Sequence, residues 1–236
     1  MQSFVCYTRI MIKTIDIMGI TLNNNYTRDQ ILETEKYFQS PLMQTVELIS
    51  TEMILQALED PRLCEWVGEL DLPIMGDADL YDVLALDSQT RRREAGEHRF
   101  VDEFLKRMER ERRSLYVLSD DQSVLDVFLE KVRTNFPKLR IIASDVIEVA
   151  SVAVMDEIIN RINGETPDAV CSLISSPLQE EILHEHKQKI NARMWLGLGQ
   201  ITYGHQRQGG LKAVVRRQMA KAKLKRRITE HQKTEY

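Results

Sequence analysis

Two scarcities narrow the reading of this chain before any motif does. No stretch approaches the roughly 20 consecutive apolar residues that a membrane-spanning helix needs, and cysteine is limited to Cys6, Cys64 and Cys171 in 236 residues. The first argues against a helical integral membrane protein. The second, an odd number of thiols set far apart, argues against a disulfide framework or a zinc site and for buried, unpaired thiols. The opening residues also lack the basic-then-apolar order of a secretory signal, so a cytoplasmic location is expected. With 43% hydrophobic residues the chain has enough apolar surface to build a real core, as one large or two small domains.

Acidic charge is missing from one segment in particular. Between Arg207 and Arg227 there are nine basic residues and no acidic one, which leaves 23 basic against 36 acidic residues, a balance of −13, for the remainder. A basic tail is attached to an acidic body.

What is present is an alternation of short β-branched runs with amphipathic stretches from Ser114 to Gln179. Leu115 to Leu118 reads as a buried strand. Asp120 to Ser123 offers N-caps for a helix through Val124, Leu125, Phe128, Leu129 and Val132, which Pro137 ends. Arg140 to Ala143 is the next strand, Val152 to Ile162 the next helix with Gly164 just past it, and Asp168 to Ile174 a third strand. That order predicts an α/β, Rossmann-like, mostly parallel sheet flanked by helices, with ligands beyond the carboxyl ends of the strands.

Upstream, Ile15 to Ile20 reads as a strand ending in a turn, and Thr27-Arg28-Asp29-Gln30 as a capping box opening a helix through Tyr37. Gln44 to Ile49 is a strand; Ser50 and Thr51 cap a helix through Leu58, and Asp60-Pro61 opens another through Trp66. Leu70 to Met75 is a short strand delivering Gly76-Asp77-Ala78-Asp79, a turn that puts carboxylates at a strand end. Residues 87 to 99, dense in charge and weak in periodicity, predict a surface loop; Phe100 to Met108 resumes a helix, and Arg193 to Gly199 is a further strand after the helix that starts at Pro177. The domain reading is an N-terminal extension over residues 1–10, a Rossmann-like body over 11–203, and a tail over 204–236.

The order of these segments resembles the WecG/TagA/CpsF glycosyltransferases, glycosyltransferase family 26. The resemblance covers roughly residues 12 to 203. It is carried by Ile15 to Ile20, Thr51-Glu52-Met53 with Asp60 to Leu63, Asp71 to Ile74 with the Gly76-Asp77 turn, and Arg93-Glu94-Ala95-Gly96. Most specific is Ser176-Pro177-Leu178-Gln179-Glu180, similar to the family's Ser-Pro-Lys-Gln-Glu, followed by Gly197-Leu198-Gly199. The resemblance implies transfer of an N-acetylmannosamine-type sugar from a UDP donor to an undecaprenyl-diphosphate-linked acceptor in cell-wall or capsule polymer synthesis. It implies no required metal and no other cofactor.

The same resemblance implies the site residues. Asp77 stands for the presumed catalytic base, one place displaced from the family's Asp-Gly; Arg93, Ser176, Gln179 and Ser50 stand for substrate-binding positions. Other positions depart from the pattern. Ser50-Thr51 replaces an Asn-Pro, Ser119-Asp120 a Gly-Gly beside phosphate, Leu178 a lysine, and Tyr203 an aspartate. Asp77 and Asp79 also have a plain reading as turn formers, Ser175 and Ser176 as helix caps, Arg93 as one more solvated charge in Arg91-Arg92-Arg93, and Gln179 as an exposed residue in the first turn of its helix. His184 and His186, two apart on a helix, do not share a face, make a poor metal pair and read as surface residues. These replacements keep open a second reading, a divergent homologue without catalysis that acts as a binding or assembly subunit.

In the tail, Leu211, Val214, Val215, Met219 and Ala222 fall on one helical face, with Lys212, Arg216, Arg217, Lys221, Lys223 and Lys225 on the others. A basic amphipathic helix suits an anionic membrane surface, and expected partners are that surface, at the inner face of the cell membrane, and a second subunit, a further copy or a paralogue. Packing of the tail on its own body is the plainer alternative. No nucleic-acid-binding motif accompanies the basic run.

Overall fold

The computed structural model describes residues 13–147, 151–199, Tyr203 and 211–234, with the side chains of 211–213, 232 and 234 outside that description. Its strands are β1 (Thr14–Ile17), β2 (Ile20–Asn23), β3 (Gln44–Ile49), β4 (Leu72–Met75), β5 (Ser114–Ser119), β6 (Arg140–Val146), β7 (Ala169–Leu173) and β8 (Met194–Gly197). They form one sheet in the order β1-β2-β4-β3-β8-β7-β5-β6. All pairs are parallel except β1 with β2, which fold back on one another at Met18-Gly19, both at positive φ. The Rossmann-like expectation holds. The expected first strand is the leading arm of that hairpin, and its return arm pairs with β4.

The helices are α1 (Thr27–Tyr37), α2 (Thr51–Ala57), α3 (Pro61–Gly68), α4 (Ala78–Val83), α5 (Gln89–Gly96), α6 (Arg99–Arg110), α7 (Gln122–Asn135), α8 (Val152–Glu165), α9 (Leu178–His186) and α10 (Leu211–Thr234). Side chains alternate along each strand, so the sheet has two apolar faces. Val46, Leu48, Leu115, Val117 and Cys171 meet Phe100, Phe104, Met108, Leu125 and Phe128 of α6 and α7 on one face. On the other face, Ile49 and Met75 meet α2, α3, α4 and Leu224 of α10, while Tyr116, Val170 and Trp195 meet α8 and α9.

Several local expectations are corrected. Thr27 is not an N-cap: it is the first helical residue of α1, Tyr26 precedes it without a side-chain cap, and Glu94 Oε2 accepts from the Thr27 N–H at 3.1 Å. The expected loop over 87–99 contains α5, a helix with no buried residue, held instead by Arg92 on Asp82 at 2.6 Å and Glu94 on α1. Gly164 lies inside the last turn of α8, and Thr166, at φ 46°, takes the left-handed position after it. His186 is buried rather than superficial, and Cys64 is only half-buried while Cys171 is fully buried; Cys6 lies outside the described residues.

Candidate active site

Parallel strands deliver their following loops to one edge of the sheet, and there the structure gathers Ser50-Thr51 after β3, Gly76-Asp77 after β4, Ser119-Asp120 after β5, Ser175 to Pro177 after β7 and Leu198-Gly199 after β8. Ser50, Asp77, Ser176 and Gln179 therefore share an edge. Backbone bonds tie the loops together: Gly76 N donates to Ile49 O at 2.8 Å and Leu198 N to Ser172 O at 2.8 Å.

Asp77 caps α4 and clasps β3 to β4. Its Oδ2 accepts from Thr51 N at 2.7 Å, and its Oδ1 accepts from the Thr51 hydroxyl at 2.9 Å and from Leu80 N at 3.0 Å. A carboxylate offers about four acceptor positions, so about one remains open. Burial pushes its pKa up from the ordinary carboxylate value, and the Thr51 and Leu80 donors pull against that rise. The same clasp recurs at the opposite edge, between Asp71 and Thr45 and between Asp168 and Ser114. Thr45 to Asp71 and Thr51 to Asp77 are even separated by the same 26 residues.

Ser50 caps α2, its hydroxyl accepting from Met53 N at 3.2 Å. The Ser176 hydroxyl donates to Glu180 Oε1 at 2.9 Å. Gln179 is wholly buried; its Nε2 donates to Glu47 Oε1 at 2.7 Å, and its amide lies so close over Gly197 that a Cβ there would come within 2.6 Å of it. The Gly-x-Gly after β8 thus has a steric cause at its first glycine and a positive φ, 52°, at its second. Arg93 is exposed on α5. Its neighbours are engaged, Arg91 on Asn24 O at 2.8 Å and Arg92 on Asp82.

Two departures from the family pattern acquire structural roles. Asp120 Oδ2 accepts from Ser175 N at 2.8 Å, an amide that would otherwise face the strand-end loop. Tyr203 turns inward: it is buried in the α6–α7 face, its hydroxyl donating to Asp102 at 2.5 Å and Lys131 lying over its ring. Residues 200–202 and Gly204 lie outside the described residues.

The sequence did not single out Glu47 or Arg217 for this site. Glu47 had a signal, the one charged residue in the strand Gln44–Ile49. Arg217 projects from α10 onto Asp79, in the first turn of α4, and also stabilises its own charge through Asp77 and Asp82. Lys221 joins Asp82 at 2.6 Å, Arg216 joins Glu52 at 3.0 Å, and Lys223 and Arg227 share Glu59. So the tail packs on its own body, through Arg217, Lys221, Leu224, Arg227 and Ile228. Val214, Val215, Met219 and Ala222, the expected apolar face, point outward, and the side chains of Leu211 and Lys212 are not described. No helix among the described residues is long and apolar enough to cross a membrane, and no group of three or more metal-ligating side chains is found among them.

Among curated proteins, none matches the chain. A family model described as glycosyl transferase WecG/TagA/CpsF matches residues 15–203. That span runs from β1 to Tyr203 and includes every strand and every loop of the edge just described, so the chain belongs to the WecG/TagA/CpsF family of glycosyl transferases.

Proposed function

We propose that this chain takes an N-acetylmannosamine-type sugar from a UDP donor and passes it to an undecaprenyl-diphosphate-linked acceptor at the cytoplasmic face of the cell membrane. The observation that carries this reading is the convergence of Asp77, Ser50, Ser176 and Gln179 at one strand edge, within the span that matches the family. The acceptor hydroxyl attacks the anomeric carbon as the bond to the diphosphate breaks. Asp77, with a raised pKa and one acceptor position to spare, takes the hydroxyl proton. The leaving diphosphate gains charge, and the α9 N-terminus offers backbone donors at the edge where it departs, while Arg217 is already held by Asp79. Arg93, exposed on α5, is available to the donor sugar or nucleotide.

The outward face of α10 fits the location. Val214, Val215 and Met219 are 53%, 47% and 67% exposed, with exposed Lys225 and Arg226 further along the helix, a pattern suited to an anionic lipid surface. The test is transfer itself: purified protein with a UDP-linked N-acetylmannosamine donor and a short-chain polyprenyl-diphosphate acceptor, read by mass spectrometry. Product formation that Asp77→Asn abolishes supports the reading.

A non-catalytic binding or assembly subunit is the second reading. The Asp120 contact with Ser175 N favours it, because a carboxylate already occupies an amide that could face a diphosphate. Absence of transfer, with UDP binding also absent, selects this second reading.

A further inference from the structure

Glu47 lies in the middle of the sheet, in register with Gly197 of β8 and, through it, Ser172 of β7. It is 1% exposed, and the first turn of α9 covers it with Gln179 and Glu180, at 0% and 1%. Gln179 Nε2 donates to Glu47 Oε1 at 2.7 Å and to Glu180 Oε1 at 3.3 Å, and Ser176 donates to the same Glu180 oxygen. Three buried acceptors remain without a partner: Glu47 Oε2, Glu180 Oε2 and Gln179 Oε1.

No cationic side chain among the described residues reaches this group. On the surrounding elements, Lys187 is held by Asp71 at 2.7 Å, and His184 of α9 by Glu69 beyond α3 at 2.9 Å. Glu181 and Glu185 sit on the exposed side of α9; Gly197 and Pro73 beside Glu47 carry no charge, and the Ser172 hydroxyl accepts from Ile174 N at 3.3 Å. Two ionised carboxylates buried without a cation repel one another and lose their hydration. A single proton removes the repulsion and leaves one buried charge in place of two. Shared between Glu47 and Glu180, whose carboxyls are hydrogen-bond neighbours, it lets one carboxyl donate to the other. The amide orientation of Gln179 then follows, since only Nε2 can face two acceptors.

We propose that Glu47, through one proton shared with Glu180, is a positioning residue for Gln179: it holds Nε2 on the two carboxyls and leaves Oε1, itself buried at the strand edge, as the acceptor that a ligand N–H or hydroxyl entering there would engage. The ligand class is a group such as the imide N–H of uracil or a sugar hydroxyl, and this part rests on the UDP-sugar reading. Burial first, and Glu180 second, push the Glu47 pKa well above 4.5. Because the folded value is raised, the stabilising contribution is complete at pH below the unfolded value and is lost as pH rises through the folded one. Loss of the shared proton sets two like charges against each other under α9 and releases the Gln179 amide.

The test follows the Gln179 side-chain amide resonances and UDP binding over roughly pH 5 to 9 in the wild type, Glu47→Gln and Glu47→Ala. In the wild type the resonances should move with pH, and UDP affinity should fall by up to about tenfold per pH unit above the titration. Glu47→Gln, whose amide can donate to Glu180 and accept from Gln179, should remove both pH dependences; Glu47→Ala should weaken binding throughout. Wild-type resonances that do not move, or a Glu47→Gln protein that keeps the wild-type pH dependence, overturn the inference. If no protein binds UDP while the resonances titrate in the wild type alone, the pair stands and the UDP-sugar reading fails.

Discussion

Thr51 gives Asp77 both its backbone N–H, at 2.7 Å, and its hydroxyl, at 2.9 Å, so the end of β3 and the end of β4 are locked by one side chain. Asp71 with Thr45 and Asp168 with Ser114 repeat that lock at the other edge of the sheet. The three clasps share one geometry, and only that of Asp77 stands at the carboxyl edge of the strands, where the proposed site lies.

Asp71→Ala, Asp77→Ala and Asp168→Ala should each lower stability by about 1–3 kcal/mol, the cost of orphaning buried donors. Denaturant unfolding checks this. Asp77→Asn, which keeps an acceptor oxygen, should lose less stability than Asp77→Ala yet should lose sugar transfer entirely. Equal transfer by Asp77→Asn and the wild type would reduce Asp77 to a clasp.

Gly197→Ala places a Cβ within 2.6 Å of the Gln179 amide. Overpacking of this kind costs about 1–3 kcal/mol. The amide must leave its place over β8, so UDP binding should weaken more than stability falls. Thermal unfolding and calorimetry on the same protein preparation compare the two effects.

The tail should part from the body in acid. Hydrogen bonds from Arg92 and Lys221 hold the Asp82 carboxyl well below the usual carboxylate range. Because the folded value is depressed, this contribution is present above the ordinary carboxylate pKa near 3.8 and is lost as pH falls below it. Hydrogen exchange of α10 should accelerate on acidification before that of β5, and Arg217→Ala with Lys221→Ala should accelerate it at neutral pH.

Opposite faces of α10 should behave differently. Leu224 is fully buried, and Leu224→Ala should cost about 2–5 kcal/mol. Met219→Asp, on the outward face, should leave stability within about 0.5 kcal/mol but abolish flotation with anionic liposomes. Flotation unchanged by Met219→Asp would remove this face from membrane contact.

Strong periodicity made the second half of the fold legible: β5, α7, β6, α8 and β7 were visible in the alternation from Ser114 to Gln179, and α9 in the helix read from Pro177. What escaped was decided by partners distant in sequence. The segment forming α5 has no apolar stripe to read, because ion pairs to Asp82 and the α1 amide hold it. The Thr27 box was chemically sound, but Glu94, 67 residues away, covers the amide in its place. On α10 the sequence left packing on the body as an alternative and could not say which face would pack; the carboxylates of Asp79, Asp82 and Glu59 select the side bearing Arg217, Lys221 and Arg227. At the site, the motif pointed to Gln179 but not to the buried Glu47 that holds it, since the register bringing β3 beneath α9 is not local information.

The central claim, a nucleotide-sugar site at the carboxyl edge of this sheet, is tested most directly by isothermal calorimetry of UDP with the wild type and Gln179→Ala. The account predicts saturable binding by the wild type that Gln179→Ala weakens at least about tenfold, a loss of about 1.4 kcal/mol. No heat of binding with the wild type, or equal affinity in both proteins, would contradict it.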